Sequence, residues 1–342
     1  MAIVALVGPK GSLGHKLLPE LLASDSIRKV HILSRRALPI SDPKVENFKV
    51  DYSRPEELVE ALKGCDVLIN AMGTEGNYEQ SKHALVDAAA KAGVKFYIPR
   101  YHPLVQASNS SSQFGVDVYV KSDAVDHACW NGKKQDDIDA RKKGLHVITI
   151  LYVPHASAAH ESVGLFMEHP QGGFQPGHGF MADEEIWYMP GTGDVPLTFT
   201  SKKDIALSII ELIKMAMSDP SKLPNYVRIA GTNKTPIEIV QIFNRAAKGK
   251  TNIQLKLLSH EEGDALMKNM KWDLPPGQSS DFDPEYMNEV ASRVFRMSGG
   301  TGNIDFSKKN DNELVNPGES KWKWKTIEEY AEEVDGMPKD IW

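Results

Sequence analysis

Residues 4–36 read "VALVGPKGSLGHKLLPELLASDSIRKVHILSRR", and this stretch decides the fold. It lies within and beyond an apolar run, Ala2 to Val7, that shows no polar alternation. A strand that is apolar on both faces belongs in the middle of a parallel sheet covered on both sides. Gly8-Pro9-Lys10-Gly11-Ser12-Leu13-Gly14 follows at once, and Leu13, Leu17, Leu18, Leu21 and Leu22 then recur at helical spacing. Strand, glycine loop and helix in that order make a dinucleotide-binding turn. Gly8 is expected to turn the chain out of the strand. Gly11 lets the backbone approach a pyrophosphate, and Gly14 lets the helix sit close on the strand. Lys10, Ser12 and Leu13 lie between the glycines and join them as expected cofactor-binding residues. The spacing is GxxGxxG rather than GxGxxG, so the strand and helix on either side carry the reading.

The second strand is predicted over Lys29 to Leu33 and runs into Ser34-Arg35-Arg36. A site for NAD would place a carboxylate there, for the ribose hydroxyls. A carboxylate repels a 2′-phosphate, whereas a guanidinium makes two charge-assisted bonds to it. Arg35 and Arg36, with Ser34 offering a hydroxyl donor, therefore predict NADPH as the cofactor.

The alternation continues. A short helix is predicted over Pro55 to Leu62 with Ser53 as its N-cap, a strand over Asp66 to Ala71, and a helix over Tyr78 to Ala92 closed by Gly93. Strands over Val94 to Pro99 and Leu145 to Leu151 follow, with a helix over Gln135 to Lys143 before the last. This is an α/β chain with a Rossmann-type doubly wound parallel sheet. Ligands sit outside the carboxyl ends of such strands, which places Ala71, Met72 and Gly73 beside the cofactor and Tyr101 and His102 at the mouth of the site. From Pro154 the pattern loosens into glycine, proline and histidine. Later helices are predicted over Lys203 to Met217 and Thr235 to Ala247, a strand in "NIQLKLLS", an acidic helix over Thr326 to Val334, and strand packing at Trp322 and Trp324.

Composition narrows the class. The chain has 342 residues, 41% of them apolar, and a formal charge of -6, which argues against general nucleic-acid binding. Two cysteines, Cys65 and Cys129, make neither a disulfide framework nor a zinc pattern, so a reducing, cytoplasmic setting is expected. The N-terminus lacks the basic flank of a signal peptide, and no apolar run approaches the ~18 residues of a membrane span. His155, His160, His169 and His178 are spaced five, nine and nine apart, which aligns no pair on one helical face, and no metal is expected.

These residues resemble a known family. "GPKGSLG", "SRR", "DVLINAMG", "QSKHALVDAAAKAG" and "VKFYIP" occur in the order seen in NmrA-like and isoflavone-reductase-like proteins, atypical members of the short-chain dehydrogenase/reductase superfamily. "KKDIALSIIELIKMAMSDPSKLPNYVRIAG", "NKTPIEIVQIFNRAAKGK" and "ESKWKWKTIEEYAEEV" carry the resemblance towards the end of the chain. It implies a dinucleotide domain over 1–153, with sheet strands also contributed from later segments, and a smaller C-terminal α+β substrate domain over 154–342. There are departures. Pro99-Arg100-Tyr101-His102-Pro103 stands where plant members carry Pro-Ser-Glu-Phe-Gly, and Pro9-Lys10 stands where the family usually has Ala-Thr.

The superfamily's usual Tyr-x-x-x-Lys is spelled at Tyr78 to Lys82, but on the helix after the fourth strand, too early for the catalytic helix, so it is read as coincidence. The resemblance instead points to a lysine at the start of the helix preceding the sixth strand, here Lys133 or Lys134, to bind the nicotinamide ribose and move a proton. Tyr152, Pro154, His155, His160 and Phe166 follow the sixth strand. Tyr152 and Pro154 are expected beside the cofactor, His160 and Phe166 with Tyr101 and His102 beside the substrate, and His155 as a donor to a carbonyl oxygen. The predicted function is an NADPH-dependent reductase of a small apolar or aromatic metabolite. Its alternatives are a redox sensor without turnover and a non-redox enzyme, such as a dehydratase or cyclase, on the same scaffold. The expected partners are a small-molecule substrate, no nucleic acid, no membrane, and a protein partner if the chain is a regulator, in a monomer or homodimer.

Overall fold

The apolar run at the N-terminus forms strand β1 (Ala2–Val7), and its neighbours on both sides are parallel to it. In the computed structural model, residues 1–72, 78–99, 138–150, 165–168, 180–181, 185–259, 261–262 and 305–337 are described. With β2 (Ile27–Ser34), β3 (Val45–Lys49), β4 (Val67–Asn70), β5 (Phe96–Ile98) and β6 (His146–Val147), β1 builds a parallel sheet in the order β3-β2-β1-β4-β5-β6. The order reverses beside β1, which opens a crevice at the carboxyl ends of β1 and β4.

Side chains of β1 alternate between two cores, as the two-residue period of a strand requires. Val4 and Leu6 meet Leu17 and Leu21 of α1 (Gly14–Ala23). Ala5 and Val7 meet Leu58 and Leu62 of α2 (Pro55–Leu62) and Leu85 and Ala89 of α3 (Tyr78–Ala92). The face carrying α1 is completed from far along the chain. Helix α4 (Lys202–Ser218) packs beside α1 and adds Ile205, Ile209 and Ile213 to the same core. Ser201 caps α4, its Oγ accepting from the Asp204 N–H at 3.0 Å. A short parallel pair, β7 (Thr149–Ile150) with β12 (Tyr226–Val227), joins this core too.

A second core gathers Trp187, Met189, Leu197, Phe199, Ile239, Phe243 and Tyr330. Its strands are β8 (Leu165–Phe166) and β13 (Thr232–Lys234) on either side of β11 (Leu197–Thr200), and β9 (Phe180–Met181) and β14 (Gln254–Leu258) on either side of β10 (Ile186–Pro190). Helix α5 (Pro236–Ala247) lies on it, started by a reciprocal cap between Thr235 and Glu238 and ended by Lys248 in the left-handed region. After the short helix α6 (Asn312–Val315), α7 (Ile327–Glu333) begins with the same kind of cap, Thr326 with Glu329.

Four expectations need correction. Ser53 does not cap α2: its N–H and hydroxyl both donate to Asp51 Oδ1, at 2.9 and 2.7 Å, which leaves Arg54 as an N-cap without a side-chain bond. The strand expected over Leu145 to Leu151 breaks at Ile148 into β6 and β7, which join different sheets. Trp322 and Trp324 pack edge to face at 5.1 Å in irregular chain rather than in a strand. Strand β3 was not foreseen, because only Val45 and Phe48 of "VENFK" are apolar.

Candidate functional site

The loop after β1 is closed by backbone. The Gly11 N–H donates to the Gly8 carbonyl at 3.0 Å, and Gly8 sits at φ +76°. A Cβ on Gly8 would lie 2.4 Å from the Ala71 carbonyl oxygen, and one on Gly14 would lie 2.0 Å from the Gly8 oxygen. Both approaches are closer than any real Cβ makes, so these positions admit only glycine. Helix α1 starts without a side-chain cap or an acidic residue in its first turn. The N–H groups of Ser12, Leu13 and Gly14 have no partner among the described residues. The Ser12 Oγ is itself buried and without a partner among the described residues. Unpaired donors at the positive end of a helix are the elements of an anion site.

A cleft of about 1350 Å³ opens beside this loop. That exceeds the 300–1,000 Å³ of a typical small-molecule pocket and suits an extended ligand. Gly8, Pro9, Lys10 and Gly11 form one side of it, Met72, Gln80 and Ser81 another, and Ser34, Arg35, Arg36, Lys49 and Tyr52 the far lip. Ser12, Leu13, Gly14 and Ala71 are not among its lining residues. The Ala71 N–H donates to the Val7 carbonyl at 2.9 Å, so the end of β4 braces the loop from behind. The Met72 N–H donates to Asn70 Oδ1 at 3.1 Å.

The lip is built differently. The Ser34 hydroxyl donates to the Arg36 carbonyl at 2.5 Å, so it shapes the turn that presents the arginines instead of offering its proton to a ligand. In the β2–β3 register Lys49 stands opposite Ser34, which adds a third cation to the lip. Lys10, Arg35, Arg36 and Lys49 all line the cleft, and none has an ion pair among the described residues. Arg54, also in the wall, is neutralised by Glu57 at 3.1 Å and Asp51 at 3.9 Å. Four cations around one cleft, with no counter-charge of their own among the described residues, favour an anion there. Burial pushes the Tyr52 phenol up to about 12, against a smaller lowering by the nearby Arg35 charge, so its O–H remains a donor at neutral pH. The glycine cradle, the orphaned Ser12 hydroxyl and the cationic lip together fit a dinucleotide carrying an additional phosphate. Lys49 and Tyr52 carry no sequence signal because the first ends, and the second follows, an edge strand with little apolar pattern.

Most of the other expected site residues are not among the described ones. Gly73, Tyr101, His102, Lys133, Lys134, Tyr152, Pro154, His155 and His160 lie outside the described residues, as does the side chain of Phe166 in β8. Lys82 of the Tyr-x-x-x-Lys spelling is buried, on the stripe of α3 that also carries Leu85, Val86 and Ala89 into the core. Cys65 is buried with its Sγ 3.3 Å from His31 Nδ1, and burial lifts its thiol to about 12, so it carries no thiolate near neutral pH. No group of three metal-ligating side chains occurs among the described residues. No helix among them is long and apolar enough to cross a membrane.

Comparison with known proteins agrees with this fold. A family model described as "NmrA-like family" matches residues 2–331. No curated protein matches the chain. Among solved structures, AtPrR2 with NADP+ and (+)pinoresinol is similar at a TM-score of 0.64 and 17% identity, over 97% of this chain and 98% of that one. Leucoanthocyanidin reductase from Vitis vinifera, in a binary complex with NADPH, is similar at 0.64 and 15%, over 98% and 100%. NmrA, a negative transcriptional regulator, is similar at 0.61 and 16%, over 97% and 95%. At these identities the likeness shows the fold, and one fold hosts both reductases and a regulator.

Proposed function

The chain belongs to the NmrA-like family, and we propose on that footing that it binds NADPH in the glycine-loop cleft and reduces a small, apolar or aromatic metabolite. The observation that carries this reading is the meeting, in one cleft, of four cations that have no ion pair among the described residues with the Gly8–Gly11 part of the loop that leads into the uncapped helix α1. In it the Gly8–Gly14 loop and the start of α1 hold the pyrophosphate, with Lys10 beside them. Arg35 and Arg36 hold the 2′-phosphate as bidentate donors, supported by Lys49. When bound, the nicotinamide supplies the hydride. Met72, Tyr152 and Pro154 flank it. Tyr101, His102, His160 and Phe166 wall the substrate from water. Lys133 or Lys134 moves the proton, and His155 donates to the substrate oxygen. Two of the fold's solved relatives, AtPrR2 described with NADP+ and leucoanthocyanidin reductase described with NADPH, support the reading.

NmrA supports a second reading, binding without turnover, because it shares the fold at nearly the same similarity. Two measurements on the purified chain separate these outcomes. Calorimetric titration is expected to give tighter binding of NADPH than of NADH; equal affinities overturn the assignment of NADP. NADPH consumption is then followed across ketones, enones and phenolic ethers. Turnover of one class is the expected result, and tight binding with no consumption of any class favours the regulator.

A further inference from the structure

Gly11 has no side chain, so something else must hold its peptide in place. Its carbonyl oxygen receives two bonds from a single residue: the His15 N–H at 3.1 Å and His15 Nδ1 at 3.0 Å. A carbonyl only accepts, so Nδ1 must carry the proton. His15 Nε2 is buried and has no hydrogen-bond partner among the described residues, so the ring holds no competing contact with them through its far nitrogen. In a trans peptide the C=O of one residue and the N–H of the next point in opposite directions. Drawing the Gly11 carbonyl onto the first turn of α1 therefore turns the Ser12 N–H away from the helix. That N–H is one of the loop donors without a partner among the described residues.

We propose that His15 is a positioning residue for the glycine loop: its imidazole N–H clamps the Gly11 carbonyl and so keeps the Ser12 N–H aimed at the pyrophosphate of a bound dinucleotide. The inference rests on the cofactor reading above. It adds the residue that sets the loop's geometry without touching the ligand, and it assigns that residue to the part of the ligand shared by NADPH and NADH. A side chain that donates from the same place preserves the clamp. One that cannot donate leaves the Gly11 carbonyl held by the His15 backbone N–H alone, and the loss of one hydrogen bond of ordinary strength weakens binding about five-fold.

The experiment measures dissociation constants of NADPH, NADH and 2′-AMP, which lacks the pyrophosphate, for the wild type, His15→Leu and His15→Asn, with the thermal midpoint of each protein. His15→Leu is expected to weaken NADPH and NADH by the same factor, about five-fold, and to leave 2′-AMP unmoved. His15→Asn, whose carboxamide N–H can stand in for Nδ1, is expected to restore both dinucleotides to within about two-fold of wild type. Unchanged dinucleotide affinity in His15→Leu overturns the clamp while leaving the cofactor reading intact. So does a loss that extends equally to 2′-AMP, or one that His15→Asn does not rescue, since either marks general damage to the fold. If the wild type binds neither dinucleotide, the cofactor reading fails first and the clamp with it.

Discussion

The two ends of the cleft are built from different materials. The glycine loop is backbone, held by contacts to Ala71 and Gly8 that leave no room for a Cβ. The lip formed by Arg35, Arg36 and Lys49 is side chain, exposed and free of ion pairs among the described residues. In the proposed reading the loop would meet a part common to all nicotinamide dinucleotides, whereas the lip would meet the part that distinguishes the phosphorylated ones. A backbone site is hard to alter without harming the fold, and a side-chain site is easily retuned. The comparison thus separates whether a dinucleotide binds from which dinucleotide binds.

The harshest way to break that comparison is to place a methyl group in the loop. Gly8→Ala and Gly14→Ala are expected to abolish measurable binding of NADPH and NADH together. Each should also lower the thermal midpoint: at Gly8 a left-handed residue bearing a Cβ costs about 1–2 kcal/mol before its clash with Ala71 is added, and at Gly14 the clash with the Gly8 carbonyl acts alone. Scanning calorimetry and titration check this, and normal affinity in either variant would show that the loop does not carry the ligand. The lip should respond selectively. Removing both guanidinium groups, Arg35→Ala with Arg36→Ala, is expected to weaken NADPH roughly 30–100-fold while NADH moves less than about two-fold. An equal loss for both nucleotides in that titration would erase the division between the two ends. Lys49→Met sharpens it further, with an expected loss of about three- to five-fold for NADPH and none for NADH, as befits an exposed point charge.

The smallest effect belongs to Tyr52. Burial raises its phenol from 10.0 to about 12, so the folded protein holds this proton more tightly than the unfolded chain does. Its contribution to stability is therefore full below pH 10 and is lost as pH rises from 10 towards 12, by about 1 kcal/mol at pH 11. Urea unfolding at pH 8 and pH 11 should reveal this loss in the wild type and a smaller one in Tyr52→Phe. Identical pH dependence in the two proteins would mean that Tyr52 ionises as freely folded as unfolded.

Much of this was legible in the sequence, for identifiable reasons. An apolar strand, a glycine loop and a leucine stripe each impose a pattern on neighbouring residues, so β1, the loop and α1 could be read together. The helices Pro55–Leu62 and Tyr78–Ala92 stand where propensity and the closing Gly93 put them. Strand β3 hid because an edge strand with residues as polar as Glu46 and Asn47 needs no apolar alternation. Lys49 reaches the site through the pairing of β3 with β2, and Tyr52 follows just after that strand, which a linear reading does not supply. Ser53 was misread because Asp51, two residues earlier, outcompetes the helix for its N–H and hydroxyl. The clamp at His15 had no sequence signal, since any histidine one residue past a glycine looks alike until the carbonyl opposite it is known.

The placement of α4 on the first sheet has a consequence for synthesis. Strand β6 completes the parallel sheet at Val147, yet the helix that covers part of one face ends at Ser218. Ribosomes add about 5–20 residues each second, so an emerging chain waits on the order of 4–14 s with Val4, Leu6, Leu17 and Leu21 only partly sheltered. During that interval the nascent polypeptide presents a greasy surface to its surroundings. A gene truncated just after the sheet should yield product that accumulates in inclusion bodies or occupies chaperones, however complete its nucleotide cleft.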